Sequence, residues 1–246
     1  LNMRPELREN AMSLHRFKVL TFDVVGTLID FERGIIDYVR GIPGADVARF
    51  ADDTILDAYR RSRKHSVRSR YPDDLVRGYG EIAKELGLPT APGLGEGLRD
   101  SVRRWPAFPD SAEALKRLHK RYRLVAMTNA QRWALAHMEK TLGAPFDDTV
   151  TVDDALVEKP DPQFFAFTRG RLSVSGVSLG DILHVAQSQY HDIGVARRLG
   201  YKVCWIERRK GMKGFGGTLE VAELVKPDYH FATLAELADT VEAGDR

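Results

Sequence analysis

Cysteine is nearly absent: the 246 residues contain one, Cys204, so no intramolecular disulfide can form. Its place in the apolar run KVCWI marks it as a buried strand residue rather than a nucleophile. A large excess of charge is missing too. The 37 basic and 35 acidic residues leave a net charge of +2, which gives no basis for nucleic-acid binding. The densest basic stretch, 60–70, reads as a solvated helix face. No apolar run approaches the roughly 18 residues that span a bilayer. The opening LNMRPELREN lacks the apolar segment of a signal peptide. A cytoplasmic protein with no membrane partner is the expectation. Repeats and low-complexity tracts are also absent. Hydrophobic residues at 43% and charged residues at 29% fit a soluble globular chain. Its length allows one full domain and a modest second one.

Short apolar runs suited to buried parallel strands do recur. They are KVLTF (18–22), RLVAMT (123–128), DTVTV (148–152), ILHVA (182–186) and KVCWI (202–206). Amphipathic patterns predict helices over 110–120, 162–172 and 192–199. Asp110 or Ser111 is the expected cap of the first, and Gly200 the glycine that ends the last. Strands alternating with helices predict an α/β fold with a doubly wound parallel sheet. Ligands then bind outside the carboxyl ends of the strands. Asp23, Thr128, Asn129, Asp153, Asp154, the stretch 187–192 and the stretch 207–209 follow those ends. The region from about 33 to 105 lacks such strands and reads as helical over 47–64, 72–86 and 95–104. This predicts a helical cap domain at 33–105 inserted into a core of 12–32 and 106–246.

The strongest local signal is KVLTFDVVGTLID, in which an apolar strand delivers Asp23 and Gly26 and Thr27 turn the chain. A buried carboxylate at a strand end is costly unless it is used. Asp23 alone reads best as a turn cap. Further elements in order change that reading: Thr128 and Asn129 end a second strand, Lys159 sits in the stiff EKPDP, and HVAQSQYHD carries Asp192.

Together these motifs resemble the haloacid dehalogenase superfamily over about 17–233, and within it the type II 2-haloacid dehalogenases. GTLID, EKPDPQFF, HVAQSQYHD and CWIERR carry the closer likeness. The resemblance implies that Asp23 is a nucleophile forming a covalent ester and that Thr27 hydrogen-bonds it. It implies that Lys159 neutralises charge beside it and that Asp192 orients that lysine and a water. Thr128 and Asn129 match the pair that holds the substrate carboxylate. Gln189 stands where the dehalogenases have an asparagine, and Gln187 where they often have a serine. Phe165 lies where some members have a tyrosine near the nucleophile. Arg60, after an aromatic residue on a cap helix, is the candidate cradle for the halide, with Arg61 and Arg63 as alternatives. The substrate implied is a small carboxylate, with a homodimer possible.

Val25 decides between chemistries. Phosphatases of the superfamily carry a second aspartate two places after the nucleophile, as proton donor and then base. Valine does neither, and Gln187 replaces a further acidic position. No cofactor or metal is therefore expected, and hydrolytic dehalogenation of a 2-haloacid is favoured. The halide leaves without needing a proton. The alternative is a magnesium-dependent phosphatase, or a phosphonatase-like enzyme with Lys64 as Schiff-base lysine. A silent binding protein is a third reading, disfavoured by Asp23, Thr27, Lys159 and Asp192 occurring together. His184 reads as a core histidine with one partner, His191 as a packed or solvated residue. The loop 207–218 reads as a surface turn tethered by Arg208 or Arg209.

Overall fold

The computed structural model describes residues 12–64 and 70–244. The opening segment and part of the basic stretch, 65–69, lie outside the described residues. Strand β1 (Val19–Phe22) is followed by four helices: α1 (Phe31–Arg40), α2 (Asp52–Arg63), α3 (Leu75–Leu86) and α4 (Leu94–Ser101). Then come α5 (Ser111–Leu118), β2 (Arg123–Met127), α6 (Arg132–Leu142), β3 (Asp148–Val150), α7 (Val152–Ala155) and α8 (Pro162–Ser173). The chain finishes with β4 (Ile182–Ala186), α9 (Gly194–Arg198), β5 (Lys202–Ile206), β6 (Tyr229–Phe231) and α10 (Leu234–Ala243).

The six strands form one sheet, β3-β2-β1-β4-β5-β6, in which every pair is parallel. Period-two alternation divides its side chains between two cores. Leu20, Phe22, Leu124, Ala126, Leu183 and Val185 face one, with Leu115, Leu135 and Leu237 of α5, α6 and α10. Val19, Val125, Met127, Ile182 and Ala186 face the other, with Phe164 and Leu172 of α8 and Val195 of α9. Burial on both faces explains why these strands read as unbroken apolar runs. The expected third strand stops two residues early, because Thr151 becomes the cap of α7 in a reciprocal box with Asp154. Cys204 is buried in β5 as expected.

The four helices after β1 leave and re-enter the sheet through a narrow neck. Asp30 N–H donates to Pro106 O at 2.8 Å, Phe108 N–H donates to Leu28 O at 3.0 Å, and Ile29 bridges Ala107 antiparallel. Asp110, expected to cap α5, makes no such bond there. Its carboxylate accepts instead from the Leu234 and Ala235 N–H groups at the start of α10, at 2.7 and 3.1 Å. Arg208 reaches the same carboxylate at 2.7 Å, and also Thr27 O at 2.9 Å. The 207–218 loop is thus tethered by Arg208, and also by Arg209 to Glu32 at 2.5 Å. Among the described residues no helix is long and apolar enough to cross a membrane.

Candidate active site

The centre of the sheet delivers Asp23. Neighbours β2 and β4 lie on either side of β1, and their following chains diverge to opposite faces, which opens a crevice at the carboxyl end. Asp23 N–H extends the ladder to Val185 O at 3.0 Å, and Gly26 then takes φ +94°, a backbone conformation that favours glycine. The turn brings Thr27 Oγ1 back to donate to Asp23 Oδ2 at 2.7 Å. Gln187 N–H donates to the same hydroxyl oxygen at 2.8 Å, joining the loops after β1 and β4.

Lys159 spends all three ammonium protons inside this site. It donates to Asp23 Oδ1 at 2.9 Å, Asp192 Oδ1 at 2.6 Å and Met127 O at 2.7 Å. Asn129 sets its backbone: Lys159 N–H donates to Asn129 Oδ1 at 2.7 Å, and Asn129 Nδ2 donates to Lys159 O at 2.9 Å. Asp192 is carried by a π-helical turn over Gln189–Ile193, where Asp192 and Ile193 N–H both donate to Ser188 O.

His184 extends the network. Its Nε2 is 2.9 Å from Asp192 Oδ1 and its Nδ1 is 2.9 Å from Thr21 Oγ1. The expectation of a single partner is corrected to two. Nε2 must carry a proton, because an ionised carboxylate only accepts. The signal was a polar residue inside each of two apolar runs, KVLTF and ILHVA, which pair in register at Thr21 and His184.

Burial sets the charges apart. Burial opposes ionisation of Asp192, but Lys159 and His184 outweigh it and hold the carboxyl down at about 2. Burial pushes Asp23 above its ordinary value, against the pull of Lys159 and Thr27. Burial also works against the Lys159 ammonium, yet the two carboxylates raise it. Asp23 is therefore the more basic of two carboxylates sharing one cation. Asp192 Oδ2 is buried with no hydrogen-bond partner.

A cavity of about 710 Å³ opens over Asp23, Lys159 and Asp192. Thr128, Asn129 and Val25 line it as expected. Asn129 is tied to Lys159 through Oδ1 and one Nδ2 hydrogen and keeps a second Nδ2 hydrogen to donate, while Thr128 Oγ1 accepts Ala130 N–H at 3.1 Å and keeps its own proton to donate. Two expected binding residues are not on its wall. Arg60 turns to Asp57, to Glu220 at 3.1 Å and to Gly216 O. Gln189 pairs with both backbone groups of Val225, at 3.0 and 3.3 Å. Arg63, one turn after Arg60, lines the cavity while bonded to the buried Asp74. Arg60 and Arg63 therefore correct the solvated-face reading of the basic stretch. Asp153 and Asp154 do not reach the cavity either; they hold Arg132 N–H at 2.8 Å and Thr151 N–H at 2.9 Å. Phe165 packs in the second core, 5.6 Å from His184 and 5.7 Å from Tyr201.

Sequence reading missed the opposite walls. Tyr59 and Tyr71 come from the four-helix segment, and residues 217–222 begin in the 207–218 loop expected only as a surface turn and run past its end. A Cβ on Gly217 would lie 2.6 Å from the Phe31 ring, so glycine lets this loop touch the aromatic wall. His191 also lines the cavity, half-buried. Its Nδ1 is 3.1 Å from Ser188 Oγ, and burial lowers its pKa to about 4.

Known proteins share this arrangement of chain. The (S)-2-haloacid dehalogenase 4A of Burkholderia cepacia is 23% identical over 234 residues, covering 88% of each chain. The haloacetate dehalogenase H-2 of Moraxella sp. (strain B) is 24% identical over 204 residues, covering 79% of this chain and 88% of that one. The solved L-2-haloacid dehalogenase from Xanthobacter autotrophicus superposes with a TM-score of 0.73 at 20% identity, over 92% of this chain and 99% of that one. The HAD-hydrolase YfnB from Bacillus subtilis, bound to magnesium, superposes with a TM-score of 0.72 at 21% identity, over the same shares. At such identities the superpositions establish the fold. Residues 17–200 match the haloacid dehalogenase-like hydrolase family, and this chain belongs to it as a hydrolase.

Proposed function

We propose that this hydrolase cleaves the carbon–halogen bond of a 2-haloacid through an ester on Asp23. The observation that carries the reading is the Lys159 ammonium held between Asp23 and Asp192, with Thr27 on the second Asp23 oxygen and Val25 two places on. This supplies an oriented carboxylate and a fixed counter-charge, with no acid beside it to protonate an alcohol. An Asp23 oxygen attacks the α-carbon from the side opposite the halogen. The carbon–oxygen bond forms as the carbon–halogen bond breaks, the halide leaves with the electron pair, and configuration inverts. Thr128 donates to the substrate carboxylate. Arg63, on the far wall, takes the cradle role first assigned to Arg60. Water then adds to the ester carbonyl of Asp23; the carbon–oxygen bond to the substrate breaks, one water proton goes to the departing 2-hydroxyacid oxygen, the other is released to solvent, and Asp23 is left as a carboxylate beside the Lys159 ammonium. Residues 33–105 act as the lid and 12–32 with 106–246 as the core.

The magnesium-dependent alternative fits less well. Octahedral magnesium favours carboxylate and water oxygens. Val25 offers no side-chain oxygen, and Gln187 Oε1 accepts from Thr218 Oγ1 at 3.3 Å. Among the described residues no group of three or more His, Cys, Asp or Glu is arranged to hold a metal ion. Lys64, the Schiff-base alternative, is exposed at the rim rather than enclosed in the apolar setting that activates a lysine.

Two measurements test the proposal. The first expects halide release from 2-chloropropionate without added metal. After turnover in heavy-oxygen water, mass spectrometry finds the label in the Asp23 peptide, and Asp23→Asn abolishes both signals. Phosphate-ester cleavage that requires magnesium, with no halide release, would overturn the reading.

A further inference from the structure

The cavity is larger than a three-carbon acid, and three aromatic rings stand on one side of it. Even at roughly 30 Å³ per heavy atom, the share of one liquid water, 2-chloropropionate fills about a quarter of the 710 Å³. That volume lies within the roughly 300–1,000 Å³ that accommodates a drug-sized ligand. Phe31 at the start of α1 and Tyr59 and Tyr71 of the lid line one part of the cavity, and Leu219 and Val221 line it as well. Water against such a surface is unfavourable, and an apolar group that displaces it gains affinity.

The wall is built, not collapsed. Phe31 and Tyr59 have ring centroids 5.7 Å apart, tilted at 48°. Both rest against the backbone of the 217–222 loop, where a Cβ on Gly217 would be 2.6 Å from Phe31 and 3.2 Å from Tyr59. Tyr71 is pinned from the sheet side on both main-chain groups. Its N–H donates to Glu158 Oε1 at 3.1 Å, and its carbonyl accepts Gln131 N–H at 2.8 Å. Its ring backs onto Trp105 at 6.5 Å. The Tyr71 hydroxyl is buried with no hydrogen-bond partner. Arg63 lies over the Tyr71 ring, 5.3 Å from its centroid, so a flat group meets these rings by edge or offset contact beside a guanidinium. On the opposite side Val25 is half-buried and short, leaving the path from Asp23 to this wall open.

We propose that the acid this site hydrolyses carries an aromatic ring beyond its α-carbon, packed against Phe31, Tyr59 and Tyr71. This inference rests on the dehalogenation reading above and names its substrate class. It implies that discrimination acts through binding of the remote ring, whose energy is available to orient the α-carbon over Asp23.

The test compares 2-chloropropionate with 2-chloro-3-phenylpropionate on one preparation of the enzyme, following chloride release. The phenyl acid is expected to have the higher kcat/KM, by roughly tenfold to a hundredfold, the range that a few buried apolar carbons supply. Tyr59→Leu and Tyr71→Leu lower that ratio toward one. Because both rates come from the same sample, any loss of folded enzyme cancels in the ratio. Equal rates, or a preference for the small acid, overturn the aromatic class and leave dehalogenation standing. Release of chloride from neither acid removes the dehalogenation reading, and this inference with it.

Discussion

Lys159 places one buried positive charge between two largely buried carboxylates, so its removal is felt by both. Lys159→Met is expected to lower kcat/KM for halide release by roughly a hundred- to a thousand-fold, the effect of deleting one pre-oriented electrostatic contact. The loss has a second signature. Without the ammonium, the Asp23 carboxyl, already raised by burial, rises further, so the acid limb of the pH–rate profile moves to higher pH. A lysine whose role was confined to packing would leave that limb in place. At this scale the sequence was informative where a residue follows a strand directly, as Asp23 and Thr128 do. It was uninformative where a helix had to be rotated about its axis. Arg60 and Arg63 are three apart on α2 and share a face, and packing of α2 against the 216–220 loop takes up Arg60 and leaves Arg63 on the cavity.

Elements were legible in proportion to their apolar periodicity. The runs 182–186 and 202–206 coincide with β4 and β5. Strand β6, three residues of YHF with one fully buried, gave no comparable run, and α1, α6 and α10 carried no predicted bounds. Connections between elements were legible least, because a cap reads as local in sequence even when it acts across space. Asp110 is the clearest instance. Placed one residue before α5, it accepts instead from the first two N–H groups of α10, 124 residues away, beside the Thr233 cap, while holding the Arg208 guanidinium. Asp110→Ala therefore removes a helix cap and leaves the mostly buried Arg208 without its carboxylate. The expected cost is about 3 kcal/mol, from a cap of about 1 and the remainder from the unpaired guanidinium. It is read as a lowered urea midpoint with an unchanged slope. Asp110→Asn, which still accepts from both N–H groups, falls between wild type and Ala. Equal losses in the two variants would mean that only the ion pair matters.

For the whole molecule, parallel strands gather their carboxyl ends at one crevice, and the residues that set its chemistry also set the acid response of the fold. His191 is held near pKa 4 by burial and by the Lys159 and Arg63 charges, against the attraction of Asp192. In the unfolded chain a histidine takes up its proton near 6.5. Between those values the unfolded state binds the proton and the folded state does not, so stability declines as pH falls from about 6.5 to 4 and then stops responding to this group. The loss is at most about 3 kcal/mol, the free energy of that displacement before screening by solvent in the cavity. Asp192 acts lower: its depressed carboxyl contributes stability above the ordinary 3.8, which is lost as pH falls through about 2. Asp23 has the opposite sign. Its raised carboxyl takes up a proton more readily in the folded state, which favours folding on acidification and partly offsets the histidine. His191→Gln separates these contributions, since it keeps a polar side chain beside Ser188 but removes the titration. Urea midpoints measured from pH 7 to pH 4 should fall steeply for wild type and stay level or rise slightly for the variant. Parallel declines in the two proteins would place the acid sensitivity outside the crevice and dissociate the stability of the fold from the charges of its site.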